Sequence, residues 1–67
     1  MEEKLYKWQV VIDGRYNGKQ YNYIQFLYLP TNKKNEAYSI AAEKFNFEQY
    51  AGELNYEYEY VDSVILM

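Results

Sequence analysis

The 67-residue chain has no cysteine, no histidine, one proline, three glycines and a single arginine. Without cysteine there is no disulfide and no thiolate zinc site. Without histidine the commonest general base and transition-metal ligand is missing. A nucleophile would have to be Thr31, Ser39, Ser63 or a lysine, with no imidazole to activate it. Ser39 falls within a helical pattern and Ser63 follows Asp62 at a break in a strand pattern, where capping and turn roles explain such residues. Gly14 and Gly18 precede no helix start, so they form no phosphate-binding loop. The chain is therefore expected not to be an enzyme and to carry no metal or cofactor. Glu57 and Glu59, about 7 Å apart on one strand face, have the spacing of a carboxylate pair or a weak divalent-ion site. Solvated strand glutamates are the commoner case.

No stretch approaches the ~20 apolar residues of a membrane span. The opening Met1-Glu2-Glu3-Lys4 is charged and unlike the apolar part of a signal peptide. A cytoplasmic location is expected. Residues 1–67 fit one small domain. A chain of this size buries only about 60% of its unfolded surface, and such domains lean on disulfides, metals or a partner subunit. With the first two removed, aromatic packing and self-association remain.

Aromatic residues are plentiful: ten Tyr, three Phe and one Trp. Tyrosine suits half-buried pleated surfaces and interface anchors alike, because it joins a large apolar ring to a hydroxyl. Asn, Lys, Tyr, Ile and Glu are abundant, as in an A/T-rich coding sequence. That bias points to a low-GC bacterium or its mobile elements. Net charge is −3. Residues 1–34 carry net +3 and residues 35–67 net −6. An acidic chain is a poor match to a simple nucleic-acid binder.

Along the chain, Leu5 to Asp13 alternates as a strand with Tyr6, Trp8, Val10 and Ile12 on one face. Asn17-Gly18 is the candidate type I′ hairpin turn, since both central positions need positive φ. That turn pairs Tyr16 with Lys19 and Ile12 with Tyr23, and places Tyr21, Tyr23, Gln25, Leu27 and Leu29 on the Trp8 face. A bulge at Gly14 would instead put Ile24, Phe26 and Tyr28 there. The second strand, Gln20 to Leu29, is apolar on both faces. Such a strand sits centrally or has its second face covered, here by another molecule, unless Tyr21, Tyr23 and Tyr28 simply turn their hydroxyls to solvent. Pro30 ends it.

Asn32 to Phe45 has the one convincing helical pattern. Ala37, Ile40, Ala41 and Phe45 draw an apolar stripe; Thr31 and Asn32 both suit the cap, with Asn32 favoured and Asn35 as the alternative. Asn46 suits a left-handed C′ position, with Phe47 folding back on Ala42. Leu54 to Tyr60 alternates strictly. Leu54, Tyr56, Tyr58 and Tyr60 make an aromatic face; Asn55, Glu57 and Glu59 make an acidic one. Asp62-Ser63 breaks the alternation as a bulge or bend. Val64 to Met67 either continues the strand or forms a short fourth one, tucked into the sheet or a partner.

The expected fold is α+β: an antiparallel sheet of three or four strands with one helix on one face, in the order β-β-α-β with a short extra C-terminal strand left open. The expected function is a non-enzymatic protein-binding module that self-associates. Its expected role is that of a small accessory or inhibitor protein of a phage or mobile element, blocking a host or defence protein. The contact surface is assigned to Tyr56, Glu57, Tyr58, Glu59 and Tyr60 with the exposed face of the second strand. The carboxylates Glu48, Glu53, Glu57, Glu59 and Asp62 are suited to meet a basic surface, in the sharper form by standing where phosphates would lie. The alternative is a nucleic-acid binder using Lys7, Arg15, Lys19, Lys33 and Lys34 around Trp8.

Overall fold

A computed structural model describes residues 4–50, 52 and 56–67. Glu53, Leu54 and Asn55, assigned above to the acidic row and the start of the last strand, lie outside the described residues. The elements are strand β1 (Tyr6–Tyr16), strand β2 (Lys19–Leu29), helix α1 (Lys34–Phe45), strand β3 (Phe47–Gln49) and strand β4 (Glu57–Leu66). They form one antiparallel sheet in the order β2-β1-β4-β3. The fold is the expected α+β type, with four strands.

The hairpin follows from its turn. Asn17 and Gly18 have φ of 53° and 77°, the pair of positive values a type I′ turn requires. Tyr16 pairs with Lys19 and Ile12 with Tyr23, and the register runs unbroken to Tyr6 and Leu29. Gly14 is therefore not a bulge in this ladder. The irregularity lies in β4, where Val11 pairs with Ser63 but Ile12 with Val61, leaving Asp62 as the extra residue. That insertion lets Val61 and Val64, three apart, both face the core. Residues 64–66 continue β4, and the Met67 N–H donates to the Lys7 carbonyl at 2.9 Å.

The core lies between the sheet and α1. Trp8, Val10 and Ile12 from β1, Leu29 from β2, Val61 and Val64 from β4, and Ala37 and Ala41 from α1 are buried. Two alanines one turn apart let the helix approach β4 and β1 closely. Phe45 is half-buried beside them, but Ile40 is exposed, because the helix meets the sheet along its i, i+4 row alone. Nor does Asn32 cap the helix. Trp8 Nε1 donates to the Thr31 carbonyl at 2.8 Å and fixes the entry strap. Thr31 Oγ1 then accepts the Lys33 N–H and donates to Glu36. The first helical bond runs from Ala37 N–H to Lys33 O, so the cap position falls on Lys33.

The far end also departs from expectation. Asn46 is extended, with φ −72° and ψ 131°, and is not left-handed. Phe47 starts β3 and stays exposed, so it does not fold back as a helix-ending clasp. Asn46 instead stitches helix to sheet. Its N–H donates to Ala42 O, and its Oδ1 accepts the Val61 N–H at 2.8 Å. The Tyr38 hydroxyl donates to the Val61 carbonyl at 2.9 Å. Both backbone groups that Val61 turns away from β1 are thus met by side chains.

The molecule measures 50 × 17 × 17 Å. A twelve-residue helix is about 18 Å long, whereas eleven-residue strands reach about 36 Å. The helix therefore covers half of one face, and the hairpin runs on beyond it.

Candidate functional site

The even residues of β1 and the odd residues of β2 face α1; the odd residues of β1 and the even residues of β2 face away. The away-facing side has no second layer among the described residues. It carries Ile24 (52% exposed), Phe26 (47%) and Tyr28 (61%) on β2, and Ile65 (49%) on β4. Val11 and Ser63 lie beside Ile24, and Gln9 joins Phe26 to Ile65 in the next row. Lys7 lays its ammonium over the Phe26 ring, 4.7 Å from the centroid. The second strand is thus apolar on both sides, as its sequence implies, and the helix covers one of them.

The five residues assigned to the contact surface divide between the two faces. Tyr58 and Tyr60 pair with Arg15 and Asp13 on the open side, and Tyr56 follows the same alternation. The rings of Tyr50, Tyr56, Tyr58 and Tyr60 form a continuous row with centroids 6.0, 5.4 and 5.9 Å apart. The Tyr56 hydroxyl donates to Glu48 at 3.0 Å, which raises the phenol's pKa. Asp13 beside Tyr60 raises that one. Asp13, Gln20, Asn22, Tyr58 and Tyr60 line a shallow depression of about 260 Å³ in this half of the face.

Glu57 and Glu59 alternate to the helix side, past the helix end. Glu59 is held between two phenols of β2. Tyr21 donates to its Oε2 at 2.6 Å and Tyr23 to its Oε1 at 2.7 Å. Those two rings stack with centroids 6.1 Å apart. The hydrogen bond to Glu59 and desolvation push Tyr21 up to about 12. Desolvation, then the same carboxylate, push Tyr23 up to about 12. A carboxylate whose two oxygens are already engaged closes the open end of the core and is not a free acid for catalysis. Among the described residues, no three acidic side chains converge as a metal site would require.

The same division decides how the acids and bases can act. Glu48 lies with the tyrosine row, Glu57 and Glu59 on the opposite face, and Asp62 in the bulge. They do not form one phosphate-like surface. Trp8 is 1% exposed, with its ring N–H bonded inside the molecule. It cannot stack a base, and the cations grouped with it scatter from the helix start (Lys33, Lys34) to the hairpin (Arg15, Lys19). Sequence reasoning missed the open-face cluster of Ile24, Phe26 and Ile65 as a unit. The signal was present in the unbulged hairpin register and in the three-residue spacing of Val61 and Val64.

Among the described residues, no helix is long and apolar enough to cross a membrane. No protein-family model, curated protein or solved structure matches the chain.

Proposed function

We propose that this chain is a non-enzymatic protein-binding module that grips its partner with the open face of the sheet. The observation that carries the reading is the contiguous exposure of Ile24, Phe26, Tyr28 and Ile65 on a rigid sheet whose other side is the packed core. Exposed apolar residues scattered singly need no explanation, but a connected patch on a flat element marks an interaction site. The neighbouring Tyr58 and Tyr60 supply rings with hydroxyls, the side-chain type favoured as interface anchors. The partner that fits is a protein with an apolar centre and a mixed polar rim, because Lys7, Arg15, Asp13 and Glu48 border the patch with both signs of charge. The residue bias of the chain supports the setting of a small accessory or inhibitor protein carried by a phage or mobile element, acting on a host or defence protein.

The test is affinity capture from a low-GC bacterial host lysate with the wild type beside an Ile65→Ser/Tyr60→Ser double variant. Both substitutions are exposed and lie on β4. The variant is expected to fold like the wild type and to lose a protein that the wild type retains. Identical captured sets, or none with either, would refute the reading.

A further inference from the structure

β2 lies at an edge of the sheet, with β1 as its one neighbour among the described residues. In a two-residue hairpin the flanking pair, here Tyr16 and Lys19, is hydrogen-bonded, and such pairs alternate along an antiparallel ladder. The odd residues of β2 therefore bond to β1. Gln20, Asn22, Ile24, Phe26 and Tyr28 aim their N–H and C=O groups outward, two groups for each of five residues.

Natural sheets blunt such an edge with short strands, charge, proline or a bulge. The opposite edge is treated in this way. β3 has three residues with Glu48 at its centre, and beyond it Tyr38 and Asn46 occupy the carbonyl and N–H of Val61. β2 has none of these devices. It runs eleven residues in unbroken register, its one charge is Lys19 at the first position, and proline comes after its last residue. Helix α1 packs mainly on β4 and leaves this edge clear.

We infer that a second copy of this chain occupies the edge. β2 pairs antiparallel with β2 of the second copy about a two-fold axis, joining two four-stranded sheets into one of eight strands. With the axis at Ile24, Ile24 faces its own counterpart, Asn22 faces Phe26 and Gln20 faces Tyr28. Every outward backbone group then has a partner. The resulting bonds are on the order of ten, as many as a typical stable interface makes. From Gln20 to Leu29 β2 carries no charge, so no like charges meet across the axis. Ile24 and Phe26 of the two copies become diagonal neighbours on the open side. The contact is isologous and closes on itself as a dimer. Both helices lie on the same side of the joined sheet, and the two open faces become one. This pairing uses the edge, whereas the proposed partner binding uses the face, so each can fail alone.

The test measures mass by light scattering and amide hydrogen exchange on the whole chain. The wild type is expected at twice 8.2 kDa. The Asn22, Ile24 and Phe26 amides should exchange slowly in concentrated solution and quickly on dilution, while Tyr23 and Gln25 stay protected at both. Ile24→Pro removes an outward N–H and no bond to β1, a placement edge strands tolerate. It should give a folded protein of 8.2 kDa. Ile24→Lys should do the same by placing like charges at the axis, and serves if the proline variant does not fold. The Ile65→Ser/Tyr60→Ser variant should remain a dimer. The inference is overturned by a monomeric wild type at its solubility limit. It is equally overturned by a dimer whose outward amides exchange freely, one that survives both Ile24 substitutions, or one that the β4 variant dissolves.

Discussion

The ring of Tyr21 lies across the bare Cα of Gly14. A methyl group on Gly14 would sit 2.5 Å from both Cζ and Oη of Tyr21. The glycine is thus a saddle that lets a β2 side chain cross β1 and reach Glu59 on β4. Gly14→Ala should push the ring aside and break that hydrogen bond. The expected cost is about 1–2 kcal/mol, since the bond is to a charged group but part-exposed. Urea denaturation should show it, and the cost should shrink in a Tyr21→Ala background, where nothing is left to displace.

The clamp around Glu59 makes stability fall at alkaline pH. Tyr21 and Tyr23 are pushed up to about 12 in the folded chain from an ordinary 10. Above pH 10 the unfolded chain has released these protons while the folded chain still holds them. The contribution is therefore complete below pH 10 and is lost as pH rises towards 12. Glu59→Gln removes the charge that raises both phenols. The late-titrating fraction of tyrosinate absorbance should then shrink, and the alkaline decline in melting temperature should still begin near pH 10 but be shallower and end sooner.

Asn46→Ala should cost about 1–2 kcal/mol, because it leaves the part-buried Val61 N–H without a partner. Its signature is local. Hydrogen exchange should quicken at Val61 while the β1–β2 amides keep their protection. Equal acceleration throughout the sheet would mean that the bond is not a separate stitch.

Thr31→Val keeps the volume and removes both hydroxyl bonds at the helix start. A loss of about 1 kcal/mol is expected, the usual worth of a cap. Asn32→Ala should change little, since among the described residues the helix start is bonded through Thr31 and not through the Asn32 side chain. The two variants compared by thermal melting show which residue starts the helix.

Trp8→Ala should unfold the chain. Removing a fully buried aromatic costs about 3–5 kcal/mol, against a total of roughly 3–10 kcal/mol for a chain of this length. The same change orphans the Thr31 carbonyl. Trp8→Phe keeps most of the volume and should leave a weakened but folded protein by circular dichroism.

Much of the architecture was legible where one local requirement dominated. The Asn17-Gly18 turn was legible from its need for two positive-φ residues, but a bulge at Gly14 left the register open, and the unbroken β1–β2 ladder decides the faces of β2. Asp62-Ser63 was legible as a break, and the pairing makes it a bulge with Asp62 surplus, which lets Val61 and Val64 both reach the core. The misses came where tertiary contacts overrode local preference. Thr31, held by Trp8, took over the helix start from Asn32. Asn46, drawn to the Val61 N–H, extended the chain instead of reversing it. β3 is three residues long with none of them buried, so no hydrophobic alternation could announce it. The split of the five-residue contact segment into a tyrosine face and a glutamate face, in contrast, is the one its strict alternation implies.

The length of the sheet beyond the helix has a hydrodynamic consequence. The radius of gyration is 14.1 Å, whereas a compact chain of this size would have about 11 Å and only one of roughly 130 residues would reach 14 Å. A rod of these proportions tumbles slowly about its short axes and is excluded early from porous media. Elution volume alone would count one copy as two.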